Sequence, residues 1–239
     1  MVVKQYILMI LVLCVILSGC SNLHKGNSEV IADNTAVDTV PTFPADTDAG
    51  NTETIESAVT IYPLPNATMD TLENATIAIS LEEGDAYVDD TGVMQMKVTV
   101  YSYDRFDMVD IAGLKPGDVI VTHFGEVLVS SVERNAYGTI LINGGLENDG
   151  IDLFTDDDGV YYETGFNDTK NWYVAGEATL RVSADLEFRD SADLEKGEQI
   201  YYAGSFLVGE VTDYHFTPHN TTIRTENGQI VSMERIYTP

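Results

Sequence analysis

The sequence predicts an all-β protein: an antiparallel sandwich or one or more small barrels, preceded by a disordered tether. Three observations lead there. From residue 75 onward, strand-length runs recur at roughly 8–12-residue spacing, as in sandwiches and barrels. Turns bearing Gly or Asp separate these runs. No window of this region carries the long apolar stripe at helical spacing that an amphipathic helix needs.

Residues 75–81 alternate apolar and small polar side chains and form the first strand. The turn Asp89-Asp90-Thr91-Gly92 leads into the second, where Met94, Met96, Val98 and Val100 alternate with Gln95, Lys97 and Thr99. Leu114-Lys115-Pro116-Gly117-Asp118 turns into a strand at 119–122, and Gly125-Glu126 reverses it into 127–129. A strand at 139–142 ends at Asn143-Gly144-Gly145, and Asp156-Asp157-Asp158-Gly159 turns into 160–162. Further strands are expected near 172–188, 199–203, 206–216 and 220–225, and a last one at 229–237 after the turn Glu226-Asn227-Gly228. The form Leu-x-x-Gly-acid-x-Ile occurs at Leu114 and again at Leu194. It reads as ordinary turn-then-strand grammar, with glycine permitting the turn.

Ahead of this region the composition changes. Residues 21–72 are rich in Thr, Asp, Asn and Ala, hold prolines 41, 44, 63 and 65, and have Lys25 as their one cation. Such a stretch buries too little apolar surface to offset its ordering entropy. As a flexible coil of about 50 residues it would reach roughly 40 Å. Its one apolar patch, Val59-Thr60-Ile61-Tyr62, is expected to add a strand to the domain.

The first twenty residues read as an address. Lys4 precedes an apolar run at 6–17, which ends in Leu17-Ser18-Gly19-Cys20. The run is short for a spanning helix and suits the hydrophobic region of an export signal. Leu17-Ser18-Gly19-Cys20 resembles the lipobox of bacterial lipoproteins. The resemblance implies cleavage before Cys20 and a diacylglyceryl group on its thiol, a membrane anchor that needs no basic patch. Three segments follow: a signal peptide at 1–19, a lipid-anchored acidic linker at 20–74, and an extracytoplasmic β domain at 75–239. Cys14 would leave with the signal, so the mature chain would hold neither a disulfide nor a free thiol. Thiol catalysis and cysteine-ligated zinc are thereby excluded.

With 12 Lys+Arg against 39 Asp+Glu the formal charge is −27. This excludes nucleic acid as a partner, since phosphate binding needs clustered cations. An acidic exported chain suggests calcium, and Asp156 and Asp158, flanked by Asp152 and Glu163, are the candidate ligands. The stretch fails the EF-hand pattern, because Phe154 and Gly165 occupy the positions where carboxylates are required. A solvated acidic turn is the plainer reading, and no other cofactor is implied. His215 and His219 stand four apart, but Pro218 spoils a helical ligand pair, and His123 reads as a surface residue. Hydrolase motifs such as Gly-x-Ser-x-Gly and His-Glu-x-x-His are missing. The aromatic residues Trp172, Tyr173 and Tyr161 are the candidate ligand-binding side chains, offering faces on which sugar rings or a protein partner stack. The expected role is therefore binding or structural, with an envelope protein or glycan as partner. The alternatives are a polysaccharide-acting enzyme with paired carboxylates and a calcium-stabilised surface module.

Overall fold

A computed structural model describes residues 57–155, 158–166 and 169–238. All belong to the second of the two compact units into which the chain divides, Thr54–Pro239. That unit begins ahead of residue 75, because the patch at 59–62 does supply a strand. In chain order the elements are β1 (Thr60–Ile61), β2 (Thr76–Ser80), β3 (Ala86–Val88), β4 (Met94–Ser102), β5 (Arg105–Phe106), α1 (Met108–Ala112), β6 (Val119–Thr122), β7 (Gly125–Leu128) and β8 (Val132–Arg134). They continue with β9 (Ile140–Ile142), β10 (Ile151–Thr155), β11 (Tyr161–Glu163), β12 (Tyr173–Ser191), β13 (Gln199–Tyr202), α2 (Ala203–Leu207), β14 (Thr221–Glu226) and β15 (Gln229–Ile236). The fold is all-β, as the alternation implies. No helix among the described residues is long and apolar enough to cross a membrane.

Of sandwich and barrel, the structure takes the barrel. β12, β15, β14, β2 and β4 are hydrogen-bonded in that order, and β4 pairs back onto β12 to close the ring. Five strands thus form a small closed barrel, an architecture that by itself assigns no ligand. Closure depends on β12, which is 19 residues long. Its first half pairs with β4 through Arg181↔Gln95, and its second half takes β13 through Glu187↔Tyr202 to Asp190↔Gln199. β15 runs parallel to β12, with a register shift between Val182 and Glu187. A second shift lies between Val174 and Gly176. Such irregularities bend a strand, and the bending lets one strand serve several partners. A Cβ at Gly176 would sit 2.9 Å from Met69, so glycine permits the turn at Met69–Thr71 to pack on the bend.

The barrel interior follows from period-two alternation. Met96, Val98 and Val100 on β4 meet Ile77 and Ile79 on β2, Leu180, Leu186 and Phe188 on β12, and Ile223, Ile230 and Met233 on β14 and β15. A second core lies in the long insertion between β4 and β12. There, Phe106, Ile111, Leu114, Ile120, Ile142 and Leu153 join Ile61 of β1. Two small sheets enclose it: β1-β6-β7, and β5-β11-β10-β9-β8. β1 runs parallel to β6 and adds itself through Ile61↔Ile120. The two Leu-x-x-Gly-acid-x-Ile segments open β6 and β13, which lie in different sheets. The echo is therefore local turn chemistry, with Gly117 and Gly197 both at positive φ.

One expected strand is absent. Residues 206–216 are not a ladder: Phe206 ends inside the short helix α2, and Gly209 at φ 74° turns the chain away. Phe206, Val211 and Phe216 are buried in the barrel core without strand partners. Phe206 and Phe216 pack on the Phe188 ring rather than pairing in a ladder. β3, β5 and β8 are two or three residues long, too short for a period to show.

Candidate functional site

Two loops and a strand end, from three sheets, converge on one cluster. Asp104 lies between β4 of the barrel and β5, His123 sits in the turn joining β6 and β7, and Glu163 ends β11. Each contributes a donor atom, and the three atoms lie within 4.8 Å of one another. Asp104 and Glu163 are each only 4% exposed. The ladder explains the convergence: Tyr162 pairs with Arg105, and the Glu163 amide donates to the Asp104 carbonyl at 3.1 Å.

Asp104 clasps the turn. Its Oδ2 accepts from the His123 amide at 2.6 Å and lies 2.8 Å from His123 Nδ1. The imidazole is stacked on Tyr173, with ring centroids 4.1 Å apart, and tilts against Phe124 at 3.7 Å. Glu163 Oε1 accepts from the Asn171 amide at 2.7 Å, whereas Oε2 is buried with no hydrogen-bond partner. Burial, and secondarily the charge of Asp104, raise the Glu163 pKa above the ordinary glutamate range, against the opposing pull of Asn171 and His123. The folded state resists ionising this group, so the penalty is absent at low pH and grows as pH rises through the raised value.

A groove of about 900 Å³ lies beside the cluster and shares with it β11 and the segment just before β12. Tyr162 and Trp172 line the groove, while their chain neighbours Glu163 and Asn171 bond to each other in the cluster. Trp172 meets Tyr103 edge-on at 4.8 Å, and Tyr103 meets Tyr162 at 6.4 Å. The Lys170 ammonium stands 4.5 Å from the Tyr103 ring centroid, 5.4 Å from that of Tyr162 and 6.0 Å from that of Trp172, within cation–π range. His219 also lines the groove, edge-on to Trp172 at 6.5 Å. Asn220, Glu234 and several threonines supply polar groups around the aromatic wall.

Trp172 is thus half-buried at a groove wall. Tyr173 belongs to the cluster, through its stacking on His123, and Tyr161 packs on the second core. Tyr162, its neighbour, is the tyrosine that lines the groove. Asp158 is exposed in the turn before β11, and Asp156 and Cys20 lie outside the described residues. His215 is a surface residue, with its side chain 92% exposed and paired with Asp213. Asp104 and His123 carry no sequence signal that joins them to Glu163, since the three are separated by 19 and 40 positions and meet only through sheet pairing. The chain matches no family model, no curated protein and no solved structure.

Proposed function

We propose that this protein is a cell-envelope lipoprotein, held to the membrane by lipid on Cys20, whose barrel unit binds a glycan in the groove beside Trp172. The groove carries the reading. It has the size of a ligand site, an aromatic wall for the apolar face of a sugar ring, and hydroxyl, amide and charged groups for sugar hydroxyls. The absence of a carboxylate pair favours binding over hydrolysis: among the described residues lining the groove, Glu234 is the one carboxylate.

Trp172 is the only tryptophan in the chain, so its fluorescence reports directly on the groove. Titration of the purified protein with cell-envelope polysaccharide fragments is expected to change that emission saturably. Trp172→Ala, tested by calorimetry, is expected to weaken binding by about 2 kcal/mol, close to thirtyfold. Unchanged emission across all envelope glycan fractions contradicts the reading. The anchor has its own test: Cys20→Ala is expected to release the protein from membranes or leave it unprocessed, and a correctly cleaved variant that stays membrane-bound overturns it.

A further inference from the structure

We infer that Asp104, His123 and Glu163 form a binding site for one first-row divalent cation, zinc or manganese, at the junction of the three sheets. The site is distinct from the acidic turn at Asp158 and does not depend on what the groove binds.

Four observations carry the inference. The first is donor chemistry: one imidazole nitrogen and two carboxylates are a set that zinc and manganese accept, whereas calcium takes six to eight oxygens. The second is position. The three donor atoms lie within 4.8 Å of one another. Ligands about 2.0–2.2 Å from a shared ion stand roughly 3–3.5 Å apart, so a small closure brings all three onto one cation.

The third observation is the buried Oε2 of Glu163, which has no hydrogen-bond partner although its residue is 4% exposed. A buried carboxylate oxygen with nothing to accept from is costly unless something positive meets it. The other oxygen is held by Asn171, which fixes the orientation of the carboxylate as outer-shell partners of metal ligands do. Fourth, the charges balance. As ligands, two carboxylates and one imidazole would bring two negative charges to a bound divalent cation, which cancels them.

Support for the imidazole is likewise in place. Tyr173 stacks on the ring, and the His123 amide is tied to Asp104. Its side chain is 14% exposed, so the ring lies near the surface, where an ion can reach it. Three protein ligands leave a coordination position for water, as in zinc sites that are not closed. Protons held by the ligands leave when the cation binds.

The test uses the whole protein stripped with chelator, then titrated separately with zinc, manganese and calcium chloride by calorimetry and thermal unfolding. One equivalent of zinc or manganese is expected to bind per chain and raise the unfolding midpoint, while calcium gives no comparable shift. Glu163→Gln and Asp104→Asn keep the shapes of the side chains and should each weaken the tighter metal at least a hundredfold. Asp158→Asn should leave binding intact. Metal-free Glu163→Gln is expected to melt no lower than the parent, because it removes a buried charge, and this separates loss of the site from loss of the fold. Binding unaltered in both Glu163→Gln and Asp104→Asn, or no saturable uptake of either metal by the parent, overturns the inference.

Discussion

Arg235→Met is expected to cost about 3–5 kcal/mol of folding stability, one of the two largest losses from a single substitution in this domain. Arg235 on β15 stands directly across the parallel ladder from Asp190 on β12, and only 3% of its side chain is exposed. Its Nε donates to Asp190 Oδ1 at 2.9 Å and Nη2 donates to Oδ2, a two-pronged pair. Nη1 donates to the Asp213 carbonyl at 2.8 Å, and the guanidinium lies 4.5 Å from the centroid of Phe216. Methionine fills much of the volume but leaves the Asp190 carboxylate buried with no cation. The uncompensated charge, rather than the lost attraction, dominates the cost. At about 2–4 °C per kcal/mol, the midpoint should fall by roughly 10 °C. Urea unfolding followed by circular dichroism measures it. Arg235→Met combined with Asp190→Leu should recover much of the loss, because the orphaned charge is gone. A single-variant loss under 1 kcal/mol would show that Asp190 finds water or another donor.

Phe188→Ala should cost about 3–5 kcal/mol by a different route. Phe188 is 0% exposed at the point where β12 has passed from β4 to β13. Its ring meets Tyr201 at 5.6 Å, Phe206 at 5.5 Å and Phe216 at 5.8 Å. Those neighbours come from β13, α2 and the irregular stretch after it, so Phe188 joins the barrel to the segment that has no ladder of its own. Truncation removes the transfer energy of the ring and leaves a cavity that these rigid neighbours close only in part. Phe188→Leu should cost about half as much, since it restores most of the volume. The same unfolding experiment separates the cases, and equal losses for Ala and Leu would mean that ring stacking, not volume, is what Phe188 supplies.

Both residues illustrate what was hard to read in the chain. Asp190 and Arg235 lie 45 positions apart, and a lone charge in an acidic sequence suggests solvent rather than burial. The stretch at 206–216 has apolar residues at strand-like intervals, yet Gly209 and the demand for a packing surface on Phe188 override the pairing. Trp172 stands in a polar loop at the start of a strand, which marks it in the sequence as a candidate ligand-binding side chain, and the structure places it on a groove wall. Tyr161 and Tyr162 are adjacent, and period-two alternation sends one to a core and the other to the groove. The choice between them is set by the register of β11 on β5, which no local pattern contains.

What the sequence determines by itself is whatever depends on neighbours in the chain. Alternation produces β2, β4, β6, β14 and β15, and glycine and aspartate place the turns between them. The tertiary structure decides what depends on which strands pair. Closure through the bent 19-residue β12 selects a barrel over a sandwich, and the ladders of three sheets bring Asp104, His123 and Glu163 together. The physical reason is that strand periodicity fixes which face of a strand is apolar, whereas partner and register are set by long-range packing.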